Sequence, residues 1–213
     1  MSRHRPALIL CAFLTACSPE PETDTDHSPA PTPAPVATPT PALAPVATPP
    51  PTPAPTPATR VRVMTEASSL VGLRETHGRN RSPLIDAMNR LTGAPMGSPW
   101  CASFNAYIYS RAKVPPPWPR SAWSPDWVQS PTWTRGKGGK APLPGDAFGI
   151  WFANKGRVAH TGLIEKWGEA VVTLEGNTGP TGSVGEADRN GEGSFRKRRL
   201  PRQIYSVRDW ISQ

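Results

Sequence analysis

From residue 60 to 213 the apolar positions recur first at helical and then at strand spacing. Ala67, Leu70, Val71 and Arg74 fall on one side of a helix predicted over 65–76, with Gly78 as its stop. Ser82 stands as the cap of a second helix, with Pro83 in its first position and Leu84, Ile85, Met88 and Leu91 as its apolar stripe before Gly93. Cys101, Phe104, Ile108 and Ala112 make the stripe of a third, which opens just after Pro99 and is closed by Pro115, Pro116 and Pro117. From 118 to 133 the chain reads as a long ordered loop carrying Trp118, Trp123, Trp127 and Trp133, rings that either line a groove or fill the core. The period then falls to two, and strands are predicted at 146–152, 158–167, 170–176, 194–200 and 204–210. Helices followed by strands is the order of an α+β domain, with N-terminal helices packed on an antiparallel β-sheet.

Two of these strands allow a geometric inference. With Gly168 and Glu169 as a two-residue hairpin loop, Trp167 pairs with Ala170 and His160 lies opposite Asn177. Glu175 is then the diagonal neighbour of His160 on the same face. Directly opposed Cβ atoms sit about 4.5 to 5.5 Å apart and diagonal ones about 7 to 8 Å, so either Glu175 or Asn177 is in reach of the imidazole. A slip of one residue would turn both away. The geometry also requires the helix end bearing Cys101 to pack against this sheet face.

The N-terminal third has a different character. Arg3, His4 and Arg5 precede an apolar run from Ala7 to Ala16, the size of a signal-peptide core and too short to span a bilayer. The run ends in Leu14, Thr15, Ala16 and Cys17, which resembles the lipobox of bacterial lipoproteins. That resemblance implies a signal peptide over 1–16, removal of Cys11 with it, and lipidation of Cys17. Ser18 after the cysteine implies sorting to the outer membrane, on its periplasmic side. From 28 to 59 the chain is almost entirely Pro, Ala, Thr and Val, without charge or apolar periodicity, and so forms no core. It reads as a disordered tether over 17–59. In polyproline II, at about 3.1 Å per residue, some thirty residues reach on the order of 100 Å from the membrane.

Residues 60–213 are enough for one domain with a real core, expected to be monomeric. The whole chain carries +8, and the domain is two charges more basic once Arg3, Arg5, Glu20, Glu22, Asp24 and Asp26 are set aside. Such a charge concentrates a protein near anionic polymers. Arg196, Lys197, Arg198 and Arg199 form the densest basic stretch, read as a solvated strand edge rather than a binding patch. No nucleic-acid recognition module accompanies the charge, so no nucleic-acid partner is expected.

With Cys11 and Cys17 accounted for, Cys101 is the one thiol left to the domain, which rules out a disulfide staple. At the start of a helix the free amide N–H groups and the dipole favour a thiolate and stabilise an oxyanion. A thiol with a reference pKa near 8.5 becomes a nucleophile at neutral pH when a histidine takes its proton and a third group orients the ring. His160 is the better base, because its strand offers Glu175 and Asn177, whereas His77 reads as a surface or capping residue. A zinc site at familiar spacing is missing, and Asp188, Arg189, Asn190 and Gly191 read as a turn, so no metal and no cofactor is expected.

Four segments together resemble the CHAP domain, the cysteine, histidine-dependent amidohydrolase/peptidase family related to NlpC-type and papain-like hydrolases. They are Trp100 to Phe104, Pro144 to Asp146, Ala159 to Glu165 and Leu174 to Thr178, with Gly78 to Pro83 upstream. The resemblance implies a papain-like fold and a cysteine peptidase or amidase acting on cell-wall peptidoglycan, either between muramic acid and L-alanine or within the peptides. It makes Cys101 the nucleophile, His160 the base, Glu175 the orienting acid and Asn177 a fourth polar member. No Gln or Asn stands just before Cys101 as an oxyanion donor, which leaves the Cys101 N–H with Asn80 or Ser98 as second donor. The alternative is a catalytically silent peptidoglycan-binding lipoprotein on the same fold.

Overall fold

The structure is a computed structural model and describes residues 57–76, 78–180 and 192–213. The signal segment, Cys17, the tether up to residue 56, His77 and the turn at 188–191 lie outside the described residues. None of the described helices is long and apolar enough to cross a membrane.

Helix α1 (Pro57–Ser69) starts eight residues before the predicted helix and ends seven before it. Pro57 is tolerated in a first turn, whose N–H groups have no helical partner. The buried face is Thr59, Val63 and Ala67 at spacing four. Three residues assigned to the tether are thus helical, because Thr59 is buried and Arg60 has tertiary partners that composition cannot reveal. Arg60 reaches the carboxylates of Asp146 (2.7 Å) and Asp209 (2.8 Å). Beyond Ser69 the chain turns through Gly72 and extends, and Arg74 pairs with Gly193 instead of continuing a helix.

Helix α2 (Pro83–Thr92) is capped as its sequence implies. The Ser82 hydroxyl accepts from the Ile85 N–H, and Gly93 closes the helix in the left-handed conformation. Helix α3 (Cys101–Arg111) starts at the thiol and is buried along most of its length. The Trp-rich segment folds a 3-10 turn over Ser124–Val128. Trp118 and Trp127 stack inside the core, while Trp123 stays half exposed.

Seven strands form one sheet: β1 (Trp133–Thr134), β2 (Gly138–Gly139), β3 (Ala147–Phe152), β4 (Arg157–Lys166), β5 (Val171–Thr178), β6 (Gly193–Arg199) and β7 (Ser206–Arg208). Their order is β2-β1-β7-β3-β4-β5-β6, and every pairing is antiparallel. Helices first and antiparallel sheet second is the α+β order implied by the periodicity. Alternation divides the core between the two faces. Ala147, Leu163 and Leu174 join the helices in one cluster, while Phe148, Ile150, Ile164 and Val171 form a second with Ile204 and Val207.

The basic stretch on β6 is a correction to the solvated-edge reading. Arg196 and Arg198 are exposed, but Lys197 and Arg199 are buried. Strand parity sends every second charge inward, and each inward one meets a polar group. Lys197 Nζ donates to Thr178 Oγ1 (2.9 Å), and Arg199 binds Glu175.

Candidate active site

The β4–β5 register agrees with the hairpin inference in the strand interior, where Leu163 faces Leu174 and Ile164 faces Thr173. At the loop it shifts, because Lys166 pairs with Val172 and Glu165 bulges out. Beyond Leu163 and Leu174, β4 and β5 have no further paired residues. The start of α3 is hydrogen-bonded to both strands in this region. Trp100 N–H donates to Asn177 Oδ1 (2.9 Å), and Asn105 Nδ2 donates to Thr161 Oγ1 (3.1 Å).

Alternation puts His160 and Glu175 with Phe148, Ile164 and Val171, on the face away from α3. The helix end bearing Cys101 reaches His160 as expected, whereas the helix body does not lie on that face. The helix body covers the Leu163, Leu174 and Gly176 side, and a Cβ on Gly176 would stand 2.6 Å from the Trp100 ring. The thiol meets the imidazole where Cys101 opens the helix and β4 carries a bulge at Ala159, between the pairs Ile150–His160 and Trp151–Val158.

Cys101 is 3% exposed, and its sulfur has the Ser124 hydroxyl at 3.5 Å and the Thr161 backbone N–H as a donor. Burial alone would push the thiol up. The imidazole of His160, followed by Ser124 and Thr161, outweighs burial and holds it below its ordinary value. His160 Nε2 and Glu175 Oε2 are 2.8 Å apart, leaving Nδ1 as the nitrogen for the sulfur. Nδ1 has no partner of ordinary hydrogen-bond geometry, so its contact with the sulfur is electrostatic rather than an aligned bond. Burial alone would keep the ring neutral, but the Cys101 sulfur and the Glu175 carboxylate outweigh it and raise the imidazole to about 9.

Glu175 is the diagonal partner, and it prevails over the directly opposed Asn177. Arg199 binds both of its oxygens, Nε to Oε1 at 2.6 Å and Nη2 to Oε2 at 2.6 Å, and Thr173 Oγ1 donates to Oε1. All of these groups are buried. Burial favours the neutral acid, but the Arg199 guanidinium and then His160 overcome it and hold Glu175 well below the usual carboxylate range. A carboxylate with every oxygen engaged orients the ring and remains an anion beside it.

Asn177 has φ 55°, in the left-handed region, and this turns its side chain out of the ladder toward α3. Besides anchoring Trp100, it donates from Nδ2 to Asn80 Oδ1 (2.9 Å). Asn80 is committed in turn: Nδ2 donates to Gly97 O (3.0 Å) and its backbone N–H to Glu75 Oε2 (2.8 Å). Glu75 closes the ring by accepting from Trp100 Nε1 (3.1 Å). Asn80 and Asn177 therefore hold the entrance of α3, and one of the two Asn80 Nδ2 donors is committed to Gly97 O. No side chain caps α3, so its first-turn amides remain for an oxyanion.

Ser124 and Arg199 escaped the sequence reading. Ser124 is one serine among several in an irregular loop and carried no signal. Arg199 carried one, since β6 alternation buries every second basic residue and a buried arginine demands a carboxylate. Among the described residues no cluster of three metal-ligating side chains occurs. A groove of about 450 Å³ leads to Cys101 between the α2–α3 loop and the 121–124 segment, with Arg157 and Ala159 of β4 on its wall.

The arrangement is a thiol with a lowered pKa, an imidazole with a raised one, and behind the ring an ionised carboxylate whose charge Arg199 balances. It is equipped for nucleophilic attack on a carbonyl and for returning the proton to a leaving group. Searches against protein-family models, curated proteins and solved structures found no match to this chain.

Proposed function

We propose that the chain is a cysteine-type hydrolase of peptidoglycan amide bonds, an amidase or peptidase of the CHAP kind on a papain-like fold, held in the cell envelope by lipid on Cys17. The observation that carries the proposal is the alignment of buried groups behind the thiol: Cys101, His160 and Glu175, with Nε2–Oε2 at 2.8 Å. In this reading the Cys101 thiolate attacks the amide carbon while first-turn N–H groups of α3 hold the oxyanion. Imidazolium Nδ1–H protonates the departing amine, and a thioester remains. His160 then draws a proton from water, hydroxide equivalent adds to the thioester, and the sulfur leaves as thiolate to regenerate the pair. Glu175 keeps Nε2–H directed inward throughout and takes no proton.

The basic surface supports an anionic wall polymer as substrate. The lipobox-like Cys17 and the proline-rich segment support a domain working at some distance from a membrane. The test is digestion of purified sacculi by wild type and Cys101→Ala, with released muropeptides identified by mass spectrometry. Wild type should release fragments, and Cys101→Ala should release none while unfolding at a similar denaturant concentration. Equal release by both proteins would remove the thiol from the chemistry. Co-sedimentation with sacculi without release by wild type would identify the silent binding protein instead.

A further inference from the structure

A buried asparagine joins the helix that carries the nucleophile to the strand that carries the base. Asn105 lies four residues after Cys101 on α3, on the same side of the helix, and is fully buried. Thr161 follows His160 on β4. Asn105 Nδ2 donates to Thr161 Oγ1 (3.1 Å) and, at 3.5 Å, to the Gly162 carbonyl. The Thr161 hydroxyl gives its own proton to the Phe148 carbonyl of β3 (2.6 Å), which leaves Oγ1 as the acceptor for Asn105. A chain of donors thus runs from α3 through β4 to β3.

The place of this chain in the sheet gives it a purpose. His160, Thr161 and Gly162 pair with Ile150, Gly149 and Phe148 of β3, but have no paired residue on β5. The ladder fixes this stretch against β3 only, and Asn105 ties it to α3. Asn105 Oδ1 is buried without a partner among the described residues, so the amide bonds through its donor side alone. An amide half engaged in this way contributes little to stability, yet it fixes the separation of the two elements it joins.

We propose that Asn105 is a positioning residue of the site: its bond to Thr161 sets the distance between the first turn of α3, with Cys101, and the segment of β4 that bears His160. The proposal rests on Cys101 and His160 being the reacting pair of the proposed hydrolase. Attraction between thiolate and imidazolium weakens with separation, and most strongly so away from water. A slackened tie therefore lowers the thiolate fraction while the domain stays folded.

The test follows iodoacetamide modification of Cys101 across pH in the full-length protein, by mass spectrometry of the Cys101 peptide. Asn105→Leu removes the donor at similar volume, and Thr161→Val removes the acceptor while keeping the backbone N–H. Both leave the charged groups around the thiol in place: His160 on β4, Glu175 on β5, Arg199 on β6 and Arg157 on the groove wall. Each variant should raise the midpoint by about one pH unit, the low end for a charge moved away from its partner, with the plateau rate at high pH unchanged. The double variant should shift no further than the larger single one, since both substitutions break the same bond. Thr161→Val decides the question by itself where urea unfolding shows Asn105→Leu to be unfolded.

A wild-type midpoint in either folded variant, or a double shift equal to the sum of the single ones, overturns the proposal. So does a plateau rate that rises together with the midpoint, which reports a fold that has opened. In a second arm, muropeptide release from sacculi at pH 7 should fall about tenfold in both variants, in step with the lost thiolate. Release by wild type with unmoved midpoints overturns the tie and leaves the hydrolase standing. Shifted midpoints with no release by wild type support the tie and sink the hydrolase.

Discussion

Arg199→Met gives the strongest test of the site's electrostatic design. The guanidinium and the Glu175 carboxylate are fully buried and joined by two contacts of 2.6 Å. Removing the cation leaves a buried carboxylate with Thr173 and His160 as its remaining partners. Breaking one side of a buried ion pair costs about 3–5 kcal/mol, because the surviving charge must be desolvated without compensation. Methionine fills much of the arginine's volume, so the loss reports charge more than cavity.

Urea unfolding with linear extrapolation measures the loss, with equal slopes required for the comparison. Arg199→Met combined with Glu175→Gln should be less damaging than the sum of the single variants, by at least about 1.5 kcal/mol. The pH dependence has a definite sign. Glu175 is depressed in the folded state, so its contribution is complete above its ordinary value of 4.5 and lost as pH falls through the folded value. Without Arg199 that depression shrinks, and the gap between variant and wild type should be wider at pH 7 than at pH 3. Additive single and double variants within about 0.5 kcal/mol would refute the coupling, and a gap independent of pH would refute its ionic origin.

Other consequences follow from the same contacts. Iodoacetamide should modify wild-type Cys101 at a lower pH than a free thiol requires, and His160→Ala should move the midpoint upward, since burial is then opposed only by Ser124 and Thr161. His160 is raised from 6.5 to about 9, so the stability it supplies is complete below pH 6.5 and lost as pH rises through about 9; urea midpoints at pH 6 and 10 should differ more for wild type than for His160→Ala. Gly176→Ala should cost about 1–3 kcal/mol and displace the α3 tip, because its Cβ would stand 2.6 Å from Trp100 and 2.7 Å from Phe104. Asn177→Gly keeps the left-handed backbone but removes the anchors to Trp100 and Asn80; we expect about 1–2 kcal/mol of destabilisation by thermal or urea unfolding and an unmoved Cys101 alkylation midpoint. A shifted midpoint there would mean that Asn177 orients the imidazole after all.

Local rules were enough for much of this domain. The cap Ser82, the stop Gly93, the start of α3 at the thiol and the interior register of β4 and β5 depend on neighbours in sequence, and the chain states them. The diagonal relation of His160 and Glu175 follows from the same strand period. What lay beyond sequence is whatever two distant segments settle between them. Helix α1 starts at Pro57 because Thr59 is buried and Arg60 finds tertiary partners, which overrides a proline-rich composition. Asn177 takes a left-handed φ at the end of β5, and its side chain is held by Trp100 and Asn80, partners far away in sequence. Arg199 turns from a surface charge into the partner of Glu175 only when β6 joins β5 and its parity is read against a buried carboxylate. Periodicity is written residue by residue, whereas burial of a charge is a property of the whole fold, since only packing decides which groups lose their water.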